Sequence, residues 1–248
     1  MPDETHLMAS IRARWGVELA AAVHPSSLPE AFLAAVVANE SGGHMEATRF
    51  EPGVFTRLVN VAAGRQVAFS APGIRRPLTL ADLLAYASPG ELQPLQRIAE
   101  YDGPPFAPAP PGAPARGLQW GLKRLSDLST SWGLTQLMGW HLVEMAGYAG
   151  WRWTVTDLQT SAAANLRAAV ALFTYFASRY QIDLATEPAF LLHCWNTGSP
   201  DTATFDPGYV GNGLARMAAY KSLSAAAAPP STGGAVPPAA PPAESGHG

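Results

Sequence analysis

Glu40 is the residue whose type and position best suit chemistry. It extends the apolar helical stripe of residues 32–37 and is followed directly by Ser41 and two glycines. Burial and the negative end of the helix dipole both oppose ionisation, so both raise the pKa of a glutamate above its reference value of about 4.3. A carboxyl group that stays neutral near pH 7 can protonate a leaving oxygen, which predicts a general acid. The alternative is a helix-end carboxylate that turns out into solvent.

The helix that must position Glu40 has start and stop signals. Ser27 and Glu30 predict a capping box, with Pro29 in the first turn of the helix. Either glycine after Ser41 can end the helix in a left-handed conformation.

The rest of the chain predicts a mainly α domain over residues 1–224, with room for a small β element. Residues 44–78 predict short strands or loops, and the Pro/Ala/Gly insert at 103–117 predicts extended surface chain. From residue 225 the composition predicts a disordered tail to residue 248. Apolar periodicity and capping residues predict further helices over 4–23, 79–86, 88–101, 122–130, 134–148 (interrupted by glycine), 156–181, 186–195 and 209–223.

Composition excludes several classes of function. A net charge of -3, with 16 basic residues that form no run, argues against nucleic acid as a partner. Cys194 is the only cysteine, so no intrachain disulfide can form, and a buried thiol is expected. The six histidines form no metal-binding motif, and we expect no cofactor, no stable membrane insertion and a monomer.

Three segments combine glycine, aromatic and polar residues, namely 49–55, 131–139 and 193–198. Aromatic faces with a few placed polar groups suit a sugar, whose CH faces stack while its hydroxyls and amides need hydrogen-bond partners. Gln136 and Asn196 each offer a donor and an acceptor. The alternatives are a helix cap for Asn196 and a solvent-facing helical position for Gln136.

Three segments resemble, in the same order along the chain, the motifs of the lysozyme-like superfamily. They are Glu40-Ser41-Gly42-Gly43, Gly133 to Met138, and Trp195 to Gly198. Soluble lytic transglycosylases carry them as E-S, G-L-M-Q and A-Y-N. Residues 49–58 and 131–148 are more similar to the N-acetylmuramidase domain of phage endolysins, which has F-E-x-x-V-F and S-W-G-x-x-Q-I-M-G. The resemblance covers roughly residues 28–223.

This resemblance implies a lysozyme-like helical fold. It also implies cleavage of the β-1,4 bond between N-acetylmuramic acid and N-acetylglucosamine in peptidoglycan. Glu40 matches the catalytic acid, and Ser41 matches a hydroxyl residue that helps to orient it. The resemblance implies substrate contacts at Gln136 and Asn196, and we expect Ser41, Trp195 and Tyr209 to bind substrate as well.

Two departures from the family stand out. Trp195 replaces a tyrosine and so lacks its hydroxyl, and Thr135 replaces an apolar residue in a position that can alter a sugar subsite.

Hydrolysis by the two-carboxylate scheme needs a second acid, for which Glu51 and Asp127 are the first candidates. Asp201 and Asp206 are further candidates. A lytic transglycosylase needs only Glu40 and releases a 1,6-anhydro product. The closer likeness to endolysins favours the muramidase.

Rival classes have weaker support. The sequence has neither an H-E-x-x-H motif for a zinc enzyme nor a G-x-S-x-G motif for a serine hydrolase. A non-catalytic wall-binding or phage structural protein would keep the aromatic groove without needing Glu40.

The N-terminal residues do not resemble a signal peptide. We therefore expect synthesis in the cytoplasm and action in the periplasm or cell wall, as an endolysin, a virion lysin or an exported effector.

Overall fold

The computed structural model describes residues 4–86 and 115–226. The predicted helix over 88–101, most of the 103–117 insert and the tail beyond residue 226 lie outside the described residues. Within these ranges the chain is mainly helical and has two small sheets, as the sequence predicts.

The helices and strands follow one another closely along the chain. The helices are α1 (Glu4–Val23), α2 (Glu30–Glu40), α3 (Pro52–Ala62), α4 (Leu80–Tyr86), α5 (Ala115–Leu128), α6 (His141–Glu144), α7 (Val155–Thr160), α8 (Ala162–Tyr180), α9 (Pro188–Thr197) and α10 (Tyr209–Ala226). The strands are β1 (Thr48–Phe50), β2 (Ala68–Phe69), β3 (Leu78–Thr79), β4 (Thr130–Trp132) and β5 (Leu137–Met138). A 3₁₀ turn covers Tyr148–Gly150.

The larger core surrounds α2, which packs against α1 and α10. Every residue from 31 to 38 in α2 is buried, so the helix is apolar on all faces and not on a single stripe. Helix α8 packs on α1 and α9 and adds Phe173, whose ring meets Phe32 edge to face at 5.0 Å. Glu40 therefore ends the central helix of this core.

A smaller core lies between α3, α4 and α5. Phe55, Leu58, Val59 and Ala62 form the buried face of α3 at helical spacing. The expectation of only strands or loops over 44–78 is therefore wrong for residues 52–62. Pro52 suits the first turn of this helix because its missing N–H has no partner there.

The three-stranded sheet has the order β1-β4-β5, and all of its pairs are antiparallel. Its β4–β5 turn replaces the helix predicted over 134–148, of which only the short α6 forms. Gly133 and Gln136 are both left-handed, with φ of 71° and 51°. A Cβ atom on Gly139 would come within 2.1 Å of the Asp127 carbonyl oxygen. These constraints turn the chain where the apolar spacing alone favours a helix.

The capping box predicted for α2 is wrong. Pro29 is the N-cap in an extended conformation, and no side chain caps the helix. The Ser26 hydroxyl instead accepts the Leu28 N–H at 3.2 Å, and Glu30 accepts the Tyr220 hydroxyl at 2.5 Å. Leu28 precedes a proline and so favours extended chain, which delays the start of the helix.

Other boundaries shift by smaller amounts. The predicted 156–181 helix is two helices, because Ser161 ends α7 and its hydroxyl caps α8 by accepting the Ala164 N–H. Residues 115–117, predicted as extended chain, begin α5, which ends before residue 130. Helix α10 runs two residues into the predicted tail. The helices predicted over 4–23, 79–86 and 186–195 are confirmed closely.

Among the described residues, no helix combines the length and the apolar character needed to cross a bilayer.

Candidate active site

Glu40 is half-buried at the C-terminal end of α2, where the Tyr209 hydroxyl donates a hydrogen bond to its carboxyl group. Burial raises the pKa of Glu40 from 4.5 to about 7. The Tyr209 hydrogen bond, the Arg49 charge and the Trp195 side chain partly oppose this rise, because they favour the ionised form. The two glycines after Ser41 are left-handed and end the helix as predicted.

A hydrogen-bond chain holds Tyr209 beside Glu40. Asn39 Nδ2 donates to the Tyr209 carbonyl oxygen at 3.0 Å, and Arg216 Nη1 donates to Asn39 Oδ1 at 2.7 Å. Arg216 also pairs with Glu4 through Nε at 2.7 Å. This chain ties α1, α2 and α10 together, so the start of α10 is fixed against the end of α2.

Ser41 contacts main-chain groups. Its hydroxyl lies 2.7 Å from the Leu134 carbonyl oxygen and 3.2 Å from that of Val37, and it accepts the Gly43 N–H at 3.2 Å. Ser41 therefore fixes the end of α2 to the β4–β5 turn. Ser41 can therefore orient Glu40 only indirectly, through the backbone at the end of α2.

A cleft of about 280 Å³ lies where the two cores meet. Its walls come from α3, the loop at 71–72, β5, α6, α8 and the end of α9. Glu40 adjoins this cleft through Trp195, which lines it. The polar and aromatic lining residues include Glu51, Gln136, Trp140, His141, Trp195 and Asn196.

Gln136 lies in the β4–β5 turn, so the alternative of a solvent-facing helical position is wrong. Its Nε2 donates to the carbonyl oxygens of Ala47 at 2.8 Å and Gly133 at 3.0 Å. Its Oε1 accepts the Ser131 hydroxyl at 3.1 Å. Both amide hydrogens are thus committed to the fold, and only acceptor capacity remains for a ligand.

Trp195 and Asn196 line the cleft from the last turn of α9. The Trp195 ring stacks on Phe173, with centroids 4.5 Å apart. Asn196 does not cap the helix, because its Oδ1 accepts the N–H of Phe205 at 3.1 Å and Gly198 makes the left-handed end. Asn196 thereby holds Phe205, a cleft residue whose side chain is 90% exposed.

The candidate second carboxylates lie in different surroundings. Glu51 lines the cleft and pairs with Arg49 at 2.7 Å. Asp127 is buried, pairs with Lys123 at 2.9 Å and lines a separate pocket beside Trp153.

Asp201 and Asp206 lie in the exposed loop before α10. Asp206 Oδ1 accepts the Gly208 N–H at 2.8 Å, which shapes the turn into that helix.

Thr135 lies away from the cleft. It is fully buried, and its N–H and hydroxyl both donate to Asn165 Oδ1, at 3.1 and 2.9 Å. Asn165 Nδ2 donates to the carbonyl oxygens of Trp132 and Leu158. The Thr135 departure therefore changes the support of the turn and not a sugar subsite.

The His141–Glu144 pair is a feature of the cleft that no sequence motif indicated. His141 lines the cleft, and its Nδ1 lies 2.8 Å from Glu144 Oε1. Their i, i+3 spacing places both side chains on one face of the helix predicted over 134–148, and this spacing was the signal that could have revealed the pair.

The described ranges contain no group of three or more His, Cys, Asp or Glu side chains placed to hold a metal ion. Cys194 is buried as predicted, and burial raises the pKa of its thiol to about 12. A thiol that stays protonated at neutral pH is a poor nucleophile.

Comparison of the chain with protein-family models, curated proteins and solved structures gave no match.

Proposed function

We propose that this protein has a lysozyme-like fold and cleaves the glycan strands of peptidoglycan at the β-1,4 bond after N-acetylmuramic acid, with Glu40 as the general acid. The observation that carries the proposal is the carboxyl group of Glu40, whose pKa burial raises to about 7, beside a cleft with aromatic and amide groups. The motifs around Glu40, Gln136 and Trp195 support the same assignment.

The surroundings of Glu40 suit the transfer of one proton. Below about pH 7 most of its carboxyl groups are protonated and can donate to the glycosidic oxygen as the bond breaks. The carboxylate that remains is then stabilised by the Tyr209 hydroxyl and the Arg49 charge, which favour the ionised form. Both preferences help the same step, since the acid must hold its proton before the step and release it during the step.

The cleft matches the chemistry of an N-acetylated sugar. Trp195 and Phe205 present aromatic surface, and Gln136 retains acceptor capacity at Oε1. An N-acetylhexosamine ring offers apolar CH faces together with hydroxyl and amide donors.

Hydrolysis and transglycosylation differ in the second group. The muramidase reading relies on Glu51, which lines the cleft. Glu51 also forms an ion pair with Arg49 at 2.7 Å, and the two-carboxylate scheme assigns the role of nucleophile or base to such a second carboxyl group. A lytic transglycosylase is the second candidate, because it needs no acid besides Glu40, whose hydrogen-bond partners are Tyr209 and Trp195.

Mass spectrometry of peptidoglycan digested by the purified protein tests the proposal. The muramidase releases fragments with a reducing-end N-acetylmuramic acid, and a borohydride-reduced sample gains two hydrogens at that end. Predominantly 1,6-anhydro fragments, which borohydride does not reduce, would replace the muramidase with the transglycosylase. Intact glycan strands, bound to the protein but uncut, would favour a wall-binding protein.

A further inference from the structure

Beside the Glu40 region, the cleft has a second built polar feature, the His141–Glu144 pair of α6. The His141 side chain is 8% exposed and that of Glu144 is fully buried. The His141 ring lies against Trp140, with centroids 3.8 Å apart, and both residues line the cleft. A buried imidazole held on two sides at the wall of a cleft is preorganised for a ligand contact.

The bonds to Glu144 fix which nitrogen of His141 carries the proton. Glu144 Oε2 accepts the Arg75 N–H at 2.9 Å, and the Arg179 guanidinium also interacts with this carboxylate. A carboxylate only accepts hydrogen bonds, so His141 Nδ1 donates to Oε1 at 2.8 Å. A neutral ring with its proton on Nδ1 has its lone pair at Nε2, and no hydrogen bond to that atom is found within residues 4–86 and 115–226.

The other polar groups of the cleft are largely engaged. The amide hydrogens of Gln136 bond to main-chain carbonyl oxygens, and Arg57 donates to the carbonyl oxygens of Gly53 and Ser70. Asn196 Oδ1 accepts the Phe205 N–H. His141 Nε2 is therefore a fixed acceptor in a cleft whose other polar groups mainly support its walls.

We propose that His141 Nε2 accepts a hydrogen bond from a hydroxyl or acetamido N–H of the bound glycan, and that Glu144 is a positioning residue that sets the tautomer. This inference rests on the proposed function, because the ligand class follows from it. His141 then binds substrate from α6, in the same cleft that Trp195 and Asn196 line from α9. It takes no part in the proton transfer assigned to Glu40.

Glu144→Gln tests the tautomer without changing the side-chain volume. The single amide oxygen is needed by the Arg75 N–H, so the amide NH₂ faces His141 Nδ1. Nδ1 must then accept, and the proton moves to Nε2. The cleft atom changes from an acceptor to a donor, which a merely structural role for the pair would not require.

The experiment measures binding of a soluble GlcNAc–MurNAc tetrasaccharide by calorimetry in a Glu40→Gln background, where cleavage does not interfere. We expect His141→Leu to weaken the Kd by about fivefold to tenfold, which corresponds to one neutral hydrogen bond. Glu144→Gln is expected to weaken the Kd by a similar factor. His141→Gln keeps an acceptor near the position of Nε2 and is expected to recover part of the loss.

Two measurements protect the result from general effects on folding. His193→Leu makes the same substitution at a residue bonded to the Thr202 carbonyl oxygen outside the lining of the cleft, and its Kd should stay within about twofold of the parent. Long-range ¹H–¹⁵N spectra should show the His141 proton on Nδ1 in the parent and on Nε2 in Glu144→Gln.

The two proposals fail in different ways. Unchanged affinity in His141→Leu, in a protein whose wild type digests peptidoglycan, overturns the role of His141 alone. Unchanged affinity in Glu144→Gln, with the tautomer shown to switch, overturns the acceptor assignment. If the parent does not bind the tetrasaccharide and the wild type cuts no glycan, the proposed function itself is wrong.

Discussion

The α2 side and the α6 side of the site each hold a glutamate, but among different partners. Glu40 is half-buried at the end of α2, and Glu144 is fully buried in α6. On the α2 side, Glu40 meets a neutral hydroxyl from Tyr209 and an indole from Trp195, with Arg49 acting through its charge. On the α6 side, Glu144 bonds to His141 and to the Arg75 N–H, and Arg179 lies near. The difference shows that a buried carboxyl group is not by itself an acid site, because its partners decide whether it can exchange a proton or is held in a network of hydrogen bonds.

Glu40 is thus poised to exchange a proton, whereas Glu144 has partners that hold it as a fixed acceptor. In the proposed function, the same residue type would supply reactivity at Glu40 and orientation at Glu144. The predictions below separate these two roles, first by activity, then by packing and stability, and last by titration.

The largest expected effect is the loss of catalysis in Glu40→Gln. The amide has nearly the same shape but cannot protonate a leaving oxygen, so we expect glycan cleavage to fall roughly 10²–10⁴-fold. Release of soluble fragments from purified peptidoglycan measures the rate. Glu46→Gln is the control, because the Glu46 side chain is 74% exposed and should leave the rate unchanged. Retained cleavage in Glu40→Gln would remove this residue from the mechanism.

The main chain after α9 comes very close to the main chain of the loop at 71–72. A Cβ atom on Gly198 would lie 2.3 Å from the carbonyl carbon of Pro72, and Gly198 has a φ of 77°. We expect Gly198→Ala to lower the free energy of unfolding by roughly 3 kcal/mol, measured by urea denaturation.

Gly64→Ala is the matched control for this contact, because Gly64 has a φ of 74° and open space around it. Its cost should be about 1 kcal/mol, from the left-handed backbone alone. Equal losses of stability in Gly198→Ala and Gly64→Ala would mean that the close approach of Gly198 to Pro72 adds no constraint of its own.

Replacing Glu40 or Glu144 by glutamine should change the free energy of unfolding in opposite directions. Burial raises the folded-state pKa of Glu40 above 4.5 to about 7, so its neutral form is favoured. Full stability is present below pH 4.5 and is lost as the pH rises to about 7. At pH 8 we therefore expect Glu40→Gln to stabilise the protein by roughly 3 kcal/mol, and at pH 4 to have little effect.

Glu144→Gln should instead destabilise the protein at pH 8, by roughly 1–3 kcal/mol, because it weakens charge-assisted bonds in a buried site. Urea denaturation of both variants at pH 4 and pH 8 provides the comparison. Destabilisation by Glu40→Gln at pH 8 would contradict the picture of an unfavourably buried carboxylate.

The Glu40 side could be predicted from sequence because its signals are local. The apolar run before Glu40 and the glycines after it mark the end of α2, and the first positions of α9 and α10 follow from Pro188 and from helical spacing. The raised pKa of Glu40 follows from the same placement. Its bond to Tyr209 joins residues 169 positions apart, so spacing alone could not have given that contact.

The α6 side was not predictable because its structure depends on tertiary contacts. The apolar spacing of residues 134–148 favours one helix, yet Gly139 packs on the Asp127 main chain and Asn165 bonds to the turn from α8. These contacts place Gln136 in a left-handed turn and leave α6 as a short helix. The i, i+3 spacing of His141 and Glu144 brings the two side chains together on any helix, whereas the position of His141 at the cleft depends on this turn.

The pH dependence of kcat/KM for peptidoglycan cleavage tests the central claim most directly, because it reports the essential acid of the free enzyme. We expect the wild-type rate to fall as the pH rises through about 7, where Glu40 loses its proton. Tyr209→Phe removes a bond that lowers the pKa of Glu40, so its alkaline fall should move to higher pH, by about one unit. A wild-type rate that stays constant from pH 5 to pH 9, or an alkaline fall that Tyr209→Phe leaves in place, would contradict the assignment of Glu40 as the general acid.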